Sequence, residues 1–258
     1  MTSLEKHLRA HRDAGRKLLV AYVTGGLGDS WPHAILAAAA AGADAIEVGI
    51  PFSDPVIDGP TIQEASARAL AGGATPGSIL DQVGRIEPGV PLVAMTYYNL
   101  VFRAGHRRFA RMLAERGVTG AIVPDLPLEE SVDWEAEAAD AGVATVLLAA
   151  PVTPDARLAR ICERSRGFVY AVSRMGTTGE RAQVAASAAV LARRCRALTD
   201  RPVLLGLGIS TPEQAVAACA EADGVVVGSA IVRRLLDGRG PDEVAAFVSD
   251  LREALDHS

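Results

Sequence analysis

The sequence has few of the residues that form metal sites or covalent cross-links. It contains three cysteines, Cys162, Cys195 and Cys219, and no Cys-x-x-Cys pair. Each lies in a predicted helix, which favours reduced, partly buried thiols in a cytoplasmic protein over a disulfide framework. The five histidines lack a ligand partner at metal-binding spacing near a predicted strand end, which argues against a zinc enzyme.

Long apolar runs and an excess of positive charge are absent as well. No apolar run reaches the length needed to span a membrane, and the first residues do not resemble a signal peptide. The net charge is −5 and the basic residues are scattered, so no nucleic-acid patch is evident. Only 4% of residues are aromatic but 49% are hydrophobic, enough for an aliphatic core. We therefore expect a globular protein that binds neither membranes nor nucleic acid.

What the sequence does contain is a regular alternation of strand and helix patterns. Eight short, β-branched segments are each followed by a helix pattern, and this strict alternation predicts a parallel sheet. Eight such units in 258 residues match the size of a closed (β/α)₈ or TIM barrel, with an extra N-terminal helix and additional short helices. The predicted strands span residues 17–24, 44–50, 91–97, 118–123, 143–149, 168–173, 202–205 and 224–227.

An open, doubly wound α/β sheet is the structural alternative. It would require a glycine fingerprint after the first strand, and Gly25-Gly26-Leu27-Gly28 lacks the dinucleotide-binding spacing. No linker-like stretch or shift of composition divides the chain. We therefore expect one α/β barrel domain over residues 1–258.

A charged residue interrupts the apolar sequence of one predicted strand. Glu47 lies within the second strand, which is expected to be buried on both faces. A carboxylate there costs free energy unless it has a partner or takes part in the function of the protein. The following loop carries Asp58, and functional groups of this fold gather at the carboxyl ends of strands. Glu47 and Asp58 are therefore candidate acid–base groups. The alternative for Glu47 is a structural ion pair, and the alternative for Asp58 is an ordinary Asp-Gly turn. The next helix is expected to begin at Thr61, with Glu64 in a capping-box pattern.

Glycines follow the last two predicted strands. Gly208 and Ile209 precede one helix, and Gly228 and Ser229 open the next, so free backbone N–H groups are expected there. Barrel enzymes frequently bind a phosphate group between these two loops. The alternative is that the glycines only make tight turns. The loop of residues 176–179 after the sixth strand could add donors or act as a lid.

Lysine is almost absent from the sequence, and this limits the reaction mechanisms that the chain could use. Lys6 and Lys17 precede or begin the first strand, so no lysine lies at a strand carboxyl end to form a Schiff base. No cysteine lies at a predicted strand carboxyl end, where it could act as a nucleophile. Carboxylates, tyrosines and hydroxyls remain, which indicates proton transfer without a cofactor or metal.

Six stretches spread over most of the chain form a recognisable set: GADAIEVGIPFSDPVIDGPTIQ (42–63), YYNLVF (97–102), VPDLPLEES (123–131), SRMGTTG (173–179), GLGIS (206–210) and VGSAIV (227–232). In sequence and in order they resemble the family of tryptophan synthase α subunits. The resemblance implies a TIM barrel that cleaves indole-3-glycerol phosphate to indole and glyceraldehyde 3-phosphate, a carbon–carbon lyase reaction of tryptophan biosynthesis.

The family's motifs also imply roles for individual residues. They place the catalytic carboxylates at Glu47 and Asp58. Tyr170 would support the site near Glu47, and Thr178 would help to close the loop over it. Residues implied to lie near the indole or the partner interface are Tyr22 and Tyr97, and those implied to bind the phosphate are Gly179, Gly208, Ile209, Gly228 and Ser229.

The resemblance further implies a partner. Indole would pass to a β subunit that uses pyridoxal phosphate, in an α₂β₂ heterotetramer whose α subunit binds no cofactor. The alternatives are a free-standing indole-3-glycerol phosphate lyase, another phosphate-sugar isomerase or epimerase, and a non-catalytic subunit that only activates a β subunit. The chain departs from the family pattern at Leu207, where an aromatic residue is common, and at Thr177, where an aliphatic one is expected.

Overall fold

Eight strands are present in the part of the chain that the structure describes. The computed structural model describes residues 2–173, 181–206 and 208–258, with the backbone alone for 181–185. Each strand lies within two residues of its predicted position at either end. The strands are β1 Leu18–Thr24, β2 Ala45–Gly49, β3 Leu92–Met95, β4 Val118–Ile122, β5 Ala144–Ala149, β6 Val169–Val172, β7 Val203–Gly206 and β8 Gly224–Val227.

The helices of the described residues alternate with these strands. One precedes β1 and several βα units carry a second helix. They are α1 Ser3–Asp13, α2 Trp31–Ala40, α3 Pro60–Ala71, α4 Pro76–Val83, α5 Tyr98–Ala104, α6 His106–Glu115, α7 Val132–Asp140, α8 Asp155–Arg164, α9 Arg181–Arg196, α10 Pro212–Cys219, α11 Ser229–Leu236 and α12 Gly240–Asp256. None of those twelve helices is long and apolar enough to cross a membrane.

The strands close into a parallel barrel in sequence order. β1 pairs with β2, where Tyr22 lies opposite Glu47, and also with β8, where Ala21 lies opposite Val227. All strands therefore end at the same rim of the barrel. The predicted TIM barrel is confirmed, and the open sheet is excluded because the last strand pairs with the first.

Alternation along each strand divides the core into two shells. Outward-facing residues such as Leu19 and Ile46 pack with the helices in the larger cluster. Inward-facing residues such as Leu18, Val20 and Phe168 fill the interior of the barrel. This division follows from the two-residue period of a strand, which sends neighbouring side chains to opposite faces.

Helix α1 seals the amino end of the barrel. Leu4 and Leu8 are fully buried and belong to the same cluster as the inward-facing strand residues. A side chain at Gly120 or Gly167 would overlap Leu4, so both glycines leave space for it. The apolar face of α1 therefore completes the interior core.

A buried carboxylate fastens α1 and α12 to this end. The Asp44 side chain, 1% exposed, accepts hydrogen bonds from Arg16 Nε at 2.7 Å and from Leu19 N at 2.8 Å. It also hydrogen-bonds His11 Nδ1 at 2.7 Å and Arg252 Nη1 at 3.3 Å. Several partners offset the cost of burying this charge.

Two neighbouring helices, α3 and α4, begin with different caps. Thr75 is the N-cap of α4, in a reciprocal capping box with Ser78. The capping box expected at Thr61 is wrong, because α3 begins one residue earlier, at Pro60, with Gly59 as its N-cap. Proline fits the first helical position, so Thr61 lies inside the first turn and Glu64 instead pairs with arginines.

Candidate active site

Glu47 points into the barrel near the carboxyl end of β2. It is 1% exposed, and its Oε2 atom has no hydrogen-bond partner in the described part of the chain. Burial raises the pKa of Glu47 to about 8, and the nearby charge of Asp58 adds to the rise. At neutral pH this carboxyl group is therefore mainly protonated and can act as an acid.

Asp58 is half-buried in the loop between β2 and α3. The Tyr97 hydroxyl donates a hydrogen bond to Asp58 Oδ2 at 3.1 Å and accepts one from Ile57 N at 3.2 Å. Burial raises the pKa of Asp58 to about 6, and the bond from Tyr97 opposes that rise. Asp58 is thus mainly ionised at neutral pH, the opposite state from Glu47.

Phe52 supports this arrangement, and the sequence analysis missed it. Its ring stacks on Tyr97 with centroids 5.0 Å apart and an interplanar angle of 21°. The signal in the sequence was its position between Pro51 and Ser53, in the loop directly after β2. The stacked pair holds the Tyr97 hydroxyl against the Asp58 carboxylate.

Two tyrosines line the interior next to Glu47. Tyr22 fills the space left by Gly49, where any side chain would overlap its hydroxyl, and it also packs beside Gly228. Tyr170 lies in the same way over Gly206 and contacts Phe168 at 5.9 Å between centroids. Burial first, and the charges of Glu47 and Asp58 next, raise the pKa of both tyrosines. Both tyrosine hydroxyls therefore remain neutral over the physiological pH range.

The glycines after β7 and β8 lie on the same rim. Leu204 and Leu205 pair with Gly224 and Val225, so the loops that follow are neighbours. Within the described residues, the backbone N–H groups that donate to no acceptor include those of Gly208, Ile209, Gly228 and Ser229. Gly208 has φ +67°, and Gly228 is the N-cap of α11. Such helix starts suit an anion.

The structure does not describe every residue that the sequence analysis named. Thr178 and Gly179 fall outside the described residues, as do Thr177 and Leu207. Asp125, which follows β4, accepts a hydrogen bond from Tyr98 N at 2.8 Å and so stabilises the start of α5.

The described residues contain no cluster of side chains suited to a metal ion. No group of three or more His, Cys, Asp or Glu side chains there could hold a metal ion. A groove of about 950 Å³ lies outside the barrel along α6 and α7, and its lining includes Arg107, Asp133 and Glu137. It contains none of the predicted site residues.

The rim therefore combines two carboxyl groups in opposite protonation states with backbone amides that suit an anion. Such a pair can give a proton at one atom and stabilise positive charge at another. The family model for the tryptophan synthase alpha chain matches residues 8–255. The chain belongs to the tryptophan synthase alpha chain family.

Relatives in this family are similar over almost the whole chain. The tryptophan synthase alpha chain of Streptomyces coelicolor is 47% identical over 253 residues, covering 95% of this chain and 91% of the relative. That of Gloeobacter violaceus is 49% identical over 220 residues, covering 83% and 79%. The resemblance inferred from the motifs is confirmed.

Solved structures of the family share the fold. Tryptophan synthase of Mycobacterium tuberculosis superposes with a TM-score of 0.90 at 39% identity, covering 98% of each chain. Tryptophan synthase subunit alpha of Legionella pneumophila superposes with a TM-score of 0.89 at 30% identity, covering 100% of each chain. The alpha-chain barrel is therefore matched from end to end.

Proposed function

We propose that this chain is the α subunit of a tryptophan synthase and cleaves indole-3-glycerol phosphate to indole and glyceraldehyde 3-phosphate. The observation that carries the proposal is the buried Glu47 carboxyl group, unpartnered at Oε2 among the described residues, beside an Asp58 carboxylate held by Tyr97. The reaction is a retro-aldol cleavage by a lyase. It requires a proton donor, a base and a site for developing positive charge.

Glu47 has the pKa and the position to move the proton. Its protonated carboxyl group gives a proton to indole C3, which makes the ring electron-poor. The resulting Glu47 carboxylate takes the proton of the C3′ hydroxyl. The C3–C3′ bond then breaks, its electron pair returns to the indole ring, and the C3′ oxygen becomes the aldehyde oxygen of the product.

Asp58 stabilises the charged intermediate. After C3 is protonated, the positive charge is shared with the indole nitrogen, whose N–H group donates a hydrogen bond to the Asp58 carboxylate. The bond from Tyr97 fixes the orientation of that carboxylate before substrate arrives. Electrostatic stabilisation that needs no rearrangement is the larger part of many rate enhancements.

The phosphate group binds at the glycine-rich rim. The amides of Gly208, Ile209, Gly228 and Ser229, which have no acceptor among the described residues, and the dipole of α11 suit its charge. Gly179 and Thr178 are proposed to close over the substrate, as the family motif implies. Tyr22 and Tyr170 border the indole beside Glu47.

Exposed apolar side chains suggest where a β subunit docks. Val56, Phe102, Val132 and Val152 are 74%, 65%, 58% and 90% exposed, and they follow the neighbouring strands β2, β3, β4 and β5. We call these four residues the docking arc. An apolar arc beside the site allows indole to leave into a partner, in an α₂β₂ assembly in the cytoplasm. Pyridoxal phosphate belongs to the β subunit.

One assay tests the chemistry. Purified chain is mixed with indole-3-glycerol phosphate and indole is measured, without added metal. Glu47→Gln and Asp58→Asn should each lower kcat by roughly 10²-fold or more, since each removes an acid–base or electrostatic group. Asp54→Asn, in the same loop, is the matched control and should retain activity. The non-catalytic alternative predicts no indole from the unmodified chain, together with activation of a β subunit that Glu47→Gln leaves unchanged.

A second comparison tests the partner. The free-standing lyase predicts the same rate with and without a β subunit, whereas a dependent α subunit is slow alone and faster in the complex. Binding of phosphate without any indole release would favour another phosphate-sugar barrel enzyme.

A further inference from the structure

A second groove lies at the opposite end of the barrel from Glu47. It has a volume of about 460 Å³ and is lined by residues that precede strands: Lys17 before β1, Thr199 and Arg201 before β7, and Asp223 before β8. Arg12, Arg16, Asp200 and the last residue of α9, Arg196, complete its polar lining.

The lining is strongly positive for a chain of net charge −5. It has five basic side chains and two acidic ones, an excess of three positive charges. Both acids already have partners. Arg9 and Arg12 bind Asp200, whereas Asp223 accepts from Val203 N at 2.8 Å and lies 3.5 Å from Arg196.

Three of the cations lack a close carboxylate within the part of the chain that is described. The Lys17 ammonium donates to the carbonyls of Cys219 at 2.7 Å and Ala222 at 3.2 Å and has no ion pair. Arg196 reaches its single carboxylate at 3.5 Å, and Arg201 reaches Glu5 at 3.7 Å. The other two, Arg12 and Arg16, are paired at 2.7 Å with Asp13 and Asp44.

These three cations line one concave site. Burial lowers the pKa of Arg201, whose Nε atom faces Glu5 at 3.7 Å and whose Nη1 atom donates to the Cys162 carbonyl at 3.1 Å. A guanidinium that is partly desolvated binds an oxyanion more strongly than one in water, because the competing hydration is already lost. The volume suits a small molecule and is too small for a protein segment.

We propose that this groove binds a small phosphate-bearing anion between Lys17, Arg196 and Arg201. Tetrahedral oxygens match the forked donors of Arg196, the remaining N–H groups of Arg201 and the remaining ammonium proton of Lys17. The occupant bridges β1, α9 and the segment before β7, and so binds the folded chain in preference to the unfolded one. The site is separate from the phosphate site at the carboxyl rim.

Nuclear magnetic resonance distinguishes the two sites in the full-length chain. Inorganic phosphate is titrated into ¹⁵N-labelled protein at constant ionic strength, with sodium chloride as the balancing salt. Amides of Gly15, Lys17 and Arg201 report the groove, and those of Gly228 and Ser229 report the carboxyl rim. Saturable shifts at the groove amides are expected.

Variants on one helix supply the matched control. Arg196→Gln should weaken phosphate binding at the groove about tenfold or more, since it removes one charge-assisted hydrogen bond. Arg193→Gln, also on α9 but paired with Glu221 outside the groove, should bind as the unmodified chain does. Neither should change the titration at Gly228. Lys17→Gln is a second variant that tests the same site.

Two outcomes overturn the proposal. The chemical shifts of the groove amides could change without saturating, or Arg193→Gln and Arg196→Gln could weaken phosphate binding equally. Either result would show a surface electrostatic effect alone. Glycerol 3-phosphate as a second probe separates the sources of the anion. Tighter binding than inorganic phosphate supports a phosphorylated metabolite, and equal binding supports free phosphate.

Discussion

At the scale of single residues, the site depends on two carboxyl groups that the fold treats differently. Glu47 is almost fully enclosed, so desolvation raises its pKa to about 8. Asp58 is half-buried and accepts a hydrogen bond, so its pKa rises only to about 6. Environments that separate two pKa values in this way assign the acid to one residue and the carboxylate to the other.

The Tyr97 hydroxyl should help to set the pH below which activity is lost. Its hydrogen bond favours the charged form of Asp58, so Tyr97→Phe should raise the pKa of Asp58 above about 6. The pH below which activity is lost should then be higher in the variant than in the unmodified chain. The expected shift is about one pH unit, because one hydrogen bond to a charged group is lost. The pH dependence of kcat/KM for indole formation measures this shift.

The neighbouring residue provides the control for that experiment. The Tyr98 hydroxyl lies 3.1 Å from His106 Nε2, away from Asp58, so Tyr98→Phe should leave the acid limb in place. The substrate's own ionisation is the same for every variant and cancels in the comparison. An unmoved acid limb in Tyr97→Phe would mean that the bond does not control Asp58.

Sequence alone could identify these residues but not their contacts. Glu47 was recognisable because a charge interrupts an apolar strand, and Asp58 because it follows that strand. The contact of Tyr97 with Asp58 joins residues 39 apart in the chain and depends on how the β2 loop folds back over β3. No local pattern encodes that approach, and the stacking of Phe52 on Tyr97 was missed for the same reason.

At the scale of secondary structure, the strands were predictable and some helices were not. Buried parallel strands have nearly continuous apolar, β-branched sequences, so all eight were located from the sequence. Helix α5, Tyr98–Ala104, was missed: it is seven residues long, and its start depends on Asp125 from the next βα unit. Gly105, with φ +84°, then separates it from α6. Short helices that need tertiary partners leave little periodic signal.

Helix α1 provides a test at this scale. Leu8 is fully buried against the interior of the barrel, so Leu8→Ala should lower the free energy of unfolding by about 2–5 kcal/mol through lost burial and the cavity left behind. Urea denaturation followed by circular dichroism measures the change. Since α1 lies at the end opposite Glu47, kcat/KM of the folded variant should remain close to that of the unmodified chain.

A surface position controls for the size of the side chain. Val190 is 45% exposed on α9, and Val190→Ala should change stability by no more than about 0.5 kcal/mol. A similarly small effect of Leu8→Ala would show that α1 does not seal the barrel.

At the scale of the whole molecule, closure of the barrel brings the parts of the site together. Glu47 belongs to the second βα unit and the amides proposed to bind phosphate belong to the seventh and eighth, yet pairing of β8 with β1 makes them neighbours on one rim. Counting eight strands predicted that closure. The single domain over residues 1–258 stays a prediction, as do the roles of Thr178 and Gly179.

The docking arc is the surface where we propose that a β subunit binds, and Phe102 is its largest side chain. Phe102→Ser should leave indole formation by the isolated chain close to normal, because the ring is 65% exposed and contacts Tyr98 at 5.9 Å between centroids, away from Glu47. It should abolish most of the stimulation by a β subunit, since buried aromatic anchors dominate interface energy. Indole formation titrated with β subunit measures this, with Val190→Ser as the control. Equal stimulation of both variants would place the interface elsewhere on the barrel.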